Sequence, residues 1–140
     1  MNPATVSHTT RLVLVDDSLG FQRAVAGYLA AQFLLELIGV AGSVVEALAL
    51  ADTLAPDVVL LDIHLPDGTG LNLIQPLLQK WPRSKVIMLT FDDYPRMRDA
   101  ALAAGATAFV SKLNAAEQLL PAIEVALSNQ NGGPANDRTA

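Results

Sequence analysis

The sequence predicts an α/β domain in which a five-stranded parallel sheet is covered by helices on both faces. Three observations carry this. Short continuous apolar runs, clearest in Val58-Val59-Leu60-Leu61, read as strands buried on both faces. Stretches with apolar residues at helical spacing alternate with them, and five such pairs imply right-handed crossovers between parallel strands. The composition permits it, since 140 residues with 51% hydrophobic and 16% charged side chains describe one domain with a substantial core.

Taken in order, Arg11 to Val15 is the first strand and ends in Asp16-Asp17. Phe21, Val25, Tyr28 and Leu29 follow at helical spacing, so a helix is expected from Leu19 to Gln32, capped from among Asp16, Asp17 and Ser18. Two adjacent acids exceed what one cap needs. Leu35 to Ala41 is the second strand, although Phe33 to Ile38 would also serve to prolong the helix. Ser43 caps a second helix through Ala47, Leu48 and Leu54, with Glu46 completing a capping box. Pro56-Asp57 leads into the central strand, which ends on Asp62 and breaks into a turn bearing Pro66, Gly68 and Gly70. The third helix carries Leu71, Ile74, Leu77, Leu78 and Trp81 inward, with Pro76 expected to kink it. Lys85 to Thr90 is the fourth strand. Pro95 suits the first turn of the fourth helix and Gly105 its end. Thr107 to Lys112 is the fifth strand, after which Asn114 and Glu117 form a capping box for a last helix to about Leu127, Pro121 lying within it. Residues 1–10 are expected to be a flexible N-terminal segment and 128–140 a flexible tail or linker stub, leaving 11–127 as the domain.

The net charge of -5 argues against direct binding of nucleic acid, which needs clustered Lys and Arg against phosphates. The absence of cysteine excludes disulfides and thiolate metal sites. Met1 to Thr10 has no apolar core of a signal peptide, and the apolar stretch from Ala24 to Val40 is interrupted by Gln32, Glu36 and glycines. A cytoplasmic protein without membrane contact is the expectation.

Four strands end in functional groups: Asp16-Asp17, Asp62, Thr90 and Lys112. In a parallel sheet these ends share one edge, the edge where open α/β sheets bind ligands. Asp62 taken alone reads equally well as a turn residue beside Pro and Gly. Chance capping, however, does not readily yield acid, acid, hydroxyl and amine at four neighbouring ends. Clustered carboxylates repel unless a cation sits among them, and oxygen ligands without His or Cys favour Mg²⁺. A carboxylate beside such an ion can attack phosphorus to form an aspartyl phosphate. Lys112 and Thr90 would then neutralise and bind the transferring group.

As a set, the acidic pair, Pro56-Asp57 before Asp62, Pro66 and Gly70 after it, Thr90, Gly105-Ala106 and Lys112 resemble the receiver domain of two-component response regulators over about Arg11 to Leu127. The resemblance implies the flavodoxin-like strand order 2-1-3-4-5. It implies that Asp62 is the phosphoacceptor, served by a histidine kinase or phosphotransfer protein, and that Asp17, Asp62 and the His64 backbone carbonyl hold Mg²⁺ with Asp16 acting through water. It makes Thr90 and Phe109 the switch pair, although Phe109 reads equally as a core aromatic. Phosphorylation would repack the face of helix four, strand five and helix five, a surface for a partner or a homodimer, where Met97, Leu119 and Ile123 are either surface or core. The protein would be no enzyme beyond its own aspartyl phosphorylation and dephosphorylation.

Several positions depart from the family pattern. Phe91 stands after Thr90, where a small residue is usual, and its ring is expected to narrow access and slow phosphorylation by small donors. His64 and Asp92 occupy positions lining the entrance, His64 reading also as an ordinary loop histidine. Leu113 after Lys112 resembles receivers joined to helix-turn-helix output domains. A receiver fold that docks without phosphate, an aspartyl-nucleophile phosphatase of the haloacid-dehalogenase kind and a flavodoxin-like electron carrier are the alternatives. The phosphatase would want Asp-x-Asp after strand one, and the carrier a Ser/Thr/Gly-rich loop there.

Overall fold

The computed structural model describes residues 8–136, with side chains described up to Ser128. Residues 1–7 of the expected flexible segment and 137–140 of the expected tail lie outside the described residues. Strands β1 (Thr10–Val15), β2 (Leu35–Ala41), β3 (Val58–Leu61), β4 (Lys85–Thr90) and β5 (Ala108–Ser111) alternate with helices α1 (Leu19–Ala30), α2 (Val44–Ala51), α3 (Gly70–Lys80), α4 (Pro95–Ala104) and α5 (Ala115–Asn136). Every pairing in the sheet is parallel, in the order β2-β1-β3-β4-β5. This is the expected 2-1-3-4-5 architecture.

Alternation along the strands divides the core in two. Val13, Val15, Val59, Leu61, Val86, Met88 and Phe109 face α2, α3 and α4, while Leu12, Leu14, Val58, Leu60, Ile87, Leu89 and Val110 face α1 and α5. Both faces of β3 are therefore covered, which is why its sequence is an unbroken apolar run. Leu119 and Ile123 are buried in the second layer and Met97 packs against the first, so their apolar character is spent on the core.

Local chemistry sets the ends. The Ser18 hydroxyl accepts the Phe21 N–H and starts α1, which stops at Ala30, two residues short of expectation. Pro95 opens α4, and Gly105, at φ 119°, closes it in a left-handed conformation open to glycine. Pro76 lies inside α3 as the sequence indicated, and Leu73 joins Ile74 and Leu77 on its buried face. At α2 the Ser43 hydroxyl accepts the Glu46 N–H as a cap should, but the Glu46 carboxylate returns to the N–H of Gly42.

Four further expectations are corrected. The segment after Asp62 is more than a turn, since His64–Leu65 pairs antiparallel with Gly68–Thr69 in a short hairpin. The fifth strand ends at Ser111, and Lys112–Asn114 forms a 3-10 turn running into α5. Asn114 is thus inside a helical turn, and the cap that the structure shows is on that turn, where the Ser111 hydroxyl accepts the Leu113 N–H. Finally, α5 runs to Asn136 where an end near Leu127 was expected. Among the described residues, no helix is long and apolar enough to cross a membrane.

Asp67, in the hairpin turn, accepts the N–H groups of Val44 (2.7 Å) and Val45 (3.0 Å) at the start of α2. These two bonds hold its carboxyl below the usual 3.8. A lowered folded-state value stabilises above the unfolded pKa and is lost as pH falls through the folded one. Asp67→Ala is accordingly expected to melt below wild type at pH 7, with the gap closing as pH drops under 3.8. Thermal unfolding followed by circular dichroism checks this; coincident midpoints at pH 7 would contradict the cap.

Candidate functional site

The register of the central strands builds the site. Val15 of β1 lies opposite Leu61 of β3, so the next residues, Asp16 and Asp62, emerge side by side at the carboxyl edge. Each is fixed by one more ladder bond, from the Asp62 N–H to the Val15 carbonyl (3.0 Å) and from the Asp16 N–H to the Ala41 carbonyl (2.9 Å). Asp62 Oδ1 accepts the N–H of Ile63 at 2.7 Å, and Asp16 Oδ1 that of Ser18 at 2.9 Å, which leaves an Oδ2 on each facing inward.

Lys112 fills the space between them. Its ammonium lies 2.6 Å from Asp16 Oδ2 and donates to Asp62 Oδ2 at 3.1 Å, with only 4% of the side chain exposed. The contact with Asp16 is an ion pair whose alignment falls short of a hydrogen bond. Burial pushes the Asp16 carboxyl above the usual 3.8, outweighing the pull of Lys112. Two rings flank the ammonium, with centroids 4.2 Å (Phe21) and 5.2 Å (Phe91) away.

Asp17 stands exposed beside this pair, and one carboxylate oxygen from each of Asp16, Asp17 and Asp62 can be chosen so that all lie within 4.8 Å of one another. Fully ionised, three acids against one ammonium leave two negative charges in a small space. The buried Asp16 Oδ2 has no hydrogen bond to occupy it. Such an all-oxygen set fits a hard divalent cation, Mg²⁺ foremost.

Thr90 is buried at the end of β4, next to β3, and its hydroxyl accepts the Asp92 N–H at 3.2 Å. Across the mouth, His64 Nε2 lies 2.7 Å from Asp92 Oδ2, joining the loops after β3 and β4. The sequence named both residues at the entrance but gave no sign that they pair. Phe91 is 63% exposed at the rim. Phe109 is buried under α4, where the Arg98 guanidinium sits 4.8 Å over its ring and donates to its carbonyl oxygen at 3.3 Å. Thus Asp16, Asp17, Asp62 and Lys112 converge as expected. Phe109 lies apart, among the β-strand and helix residues of the first core layer. Phe21 and Arg98 escaped the sequence reading, the first because its spacing is that of a core residue and the second because nothing distinguishes it from any surface arginine.

Known proteins with this pattern agree. The family described as the response regulator receiver domain matches residues 12–124. The DNA-binding transcriptional activator DevR/DosR of Mycobacterium tuberculosis is 40% identical over 103 residues, covering 73% of this chain and 47% of that protein. Response regulator protein VraR of Staphylococcus aureus is 30% identical over 115 residues, covering 82% and 55%. Among solved structures, a LuxR-family two-component response regulator from Aurantimonas sp. SI85-9A1 superposes with a TM-score of 0.81 at 25% identity, covering 86% of each chain. The response regulator domain of Thermotoga maritima CheB gives 0.78 at 26%, covering 86% of this chain and 98% of that one. The chain spans about half the length of the curated relatives it matches. Shared sequence over 113 residues, one sheet order and one acidic edge closed by a lysine lead to a single assignment: this chain belongs to the response regulator receiver domain family of two-component signal transduction.

Proposed function

We propose that the chain is a phosphorylation-dependent switch whose phosphoacceptor is Asp62. The supporting observation is the 3.1 Å contact between the Lys112 ammonium and Asp62 Oδ2, both groups nearly buried at the sheet edge. The donor class is a phosphohistidine on a histidine kinase or phosphotransfer protein. A carboxylate oxygen of Asp62 forms the O–P bond as the donor's N–P bond breaks, and the departing imidazole nitrogen keeps the electron pair and takes a proton from solvent. The Lys112 ammonium, already within reach, donates to one phosphoryl oxygen and so stabilises the charge carried across. Asp16, Asp17 and Asp62, with the His64 backbone carbonyl, would hold Mg²⁺, which when bound neutralises phosphoryl charge. The protein turns over no other substrate and removes the group again only by hydrolysis of its own acyl phosphate.

The same geometry supports the switch. The Thr90 hydroxyl, engaged with the Asp92 N–H in the resting state, turns to the phosphoryl group and vacates its place. Phe109 can then rotate inward, provided it leaves the Arg98 guanidinium stacked on it. This is a two-state packing element biased by a local charge. Its output surface is α4, β5 and α5, where Tyr94 and Leu102 stand exposed and a partner or second copy would bind. The net charge of -5 speaks against a DNA contact, of the kind named for DevR/DosR, by these residues. The adjacency of Asp16 and Asp17 speaks against the phosphatase, and the acids after β1 against the electron carrier.

Incubation with Mg²⁺ and acetyl phosphate, read by intact mass, tests the reading. Wild type is expected to gain one phosphoryl group and Asp62→Asn none. A wild type that stays unmodified by acetyl phosphate and by phosphohistidine donors would leave a docking module that works without phosphate.

A further inference from the structure

We propose that Phe21 and Phe91 are positioning residues for phosphoryl transfer, gripping the Lys112 ammonium between their ring faces. The inference rests on the reading of Asp62 as phosphoacceptor and adds to it. A lysine ammonium is a strongly hydrated point charge on a flexible four-carbon stem. Nothing in the stem itself would keep it in a place where water is nearly excluded. Here it is 4% exposed, and two carboxylates hold it: Asp16 Oδ2 at 2.6 Å and Asp62 Oδ2 at 3.1 Å.

Its remaining neighbours include two aromatic rings. Phe21, from the first turn of α1, brings its centroid to 4.2 Å, and Phe91, from the loop after β4, to 5.2 Å, both inside the range where the ring quadrupole attracts a cation. The position of Phe91 is telling because 63% of it lies in water, so core packing does not account for where it sits. Its contact with the ammonium ties the loop that follows Thr90 to Lys112. When the Asp62 oxygen is committed to phosphorus, the ammonium loses one of its two anionic partners, and the rings are then what keep its free N–H aimed at the phosphoryl oxygens. Phe91 thereby has a second effect opposite in sign to the crowding expected from its bulk.

That opposition makes the test decisive. Phe91→Leu removes the quadrupole while keeping most of the bulk, whereas Phe91→Tyr keeps both; neither exposed substitution touches the core. With acetyl phosphate and Mg²⁺, the account expects Phe91→Leu to lower the maximal phosphorylation rate by about 2- to 5-fold, and Phe91→Tyr to restore it. In the unphosphorylated protein, the ring-current shift of the Lys112 Cε protons should shrink in Phe91→Leu and shrink further in Phe21→Leu. A Phe91→Leu protein that is phosphorylated as fast as wild type or faster overturns the grip, whatever the Lys112 shifts, and leaves crowding as the role of Phe91. A wild type that accepts no phosphoryl group at all overturns the Asp62 reading instead, and this inference falls with it.

Discussion

Lys112→Met is expected to destabilise the protein by about 3 kcal/mol at pH 7 in the absence of divalent cations, because it removes the one buried positive charge between two buried carboxylates. The ammonium sits within 3.1 Å of both Asp16 and Asp62, and methionine supplies similar volume without charge, so packing changes little. The loss should depend on pH with a defined sign. Burial already raises the Asp16 carboxyl above 3.8, and the Lys112 ammonium beside it pulls it down, so removing that ammonium raises it further. A group whose folded-state pKa is raised favours folding below its unfolded value and costs stability as pH climbs through the folded one. The deficit of the variant is therefore largest near neutrality and shrinks as pH falls toward 3.8. Mg²⁺ should rescue Lys112→Met more than it stabilises wild type, since the cation replaces the missing charge. Urea unfolding at several pH values, with and without Mg²⁺, measures all three; a variant equal to wild type at pH 7 would show that the ammonium does not compensate the acids.

Gly70→Ala is the second large effect, and it acts through the backbone of the phosphoacceptor. A Cβ at Gly70 would lie 1.9 Å from the Asp62 carbonyl oxygen and 2.9 Å from its carbonyl carbon, contacts that no rearrangement of a flexible side chain can relieve. The two segments are held together by the bond from the Gly70 N–H to the Ile63 carbonyl, 2.6 Å, at the start of α3. To fold, the chain must break that contact and move Asp62 away from Lys112. A loss of at least about 3 kcal/mol is expected, the upper end for overpacking in a filled interior. Whatever fraction folds should bind Mg²⁺ and accept phosphate poorly. Chemical denaturation and the same phosphorylation assay decide it, and a stable, fully reactive Gly70→Ala would mean that the loop after β3 is looser than its contacts indicate.

How much of this was legible beforehand follows from which interactions are local. The strand β3 was legible because burial on both faces forces an unbroken apolar run, and its terminal Asp62 because a carboxylate ending such a run is out of character with a core. Gly105 and Pro95 announced the ends of α4 through conformations that the residues themselves impose. The ends of β5 and α5 were misjudged for the converse reason. Ser111 and Asn114 both have capping side chains, and in the fold it is Ser111 that caps, so the chain coils at once after it. The hairpin of His64–Leu65 with Gly68–Thr69 was read as a turn because two-residue strands have no periodicity to detect. At the site, the acids, the hydroxyl and the amine could be set on one edge by topology alone. The His64–Asp92 pair, the rings around Lys112 and the Arg98 stack on Phe109 could not, since each joins side chains from different loops or elements whose approach depends on the folded backbone.

The central claim is that Asp62 itself carries the phosphoryl group. Reduction of the acyl phosphate with borohydride after treatment with Mg²⁺ and acetyl phosphate, followed by peptide sequencing in the mass spectrometer, locates it directly. The account predicts homoserine at position 62 and nowhere else; homoserine at Asp16 or Asp17, or aspartate unchanged at position 62 in a protein that has gained a phosphoryl group, would contradict it.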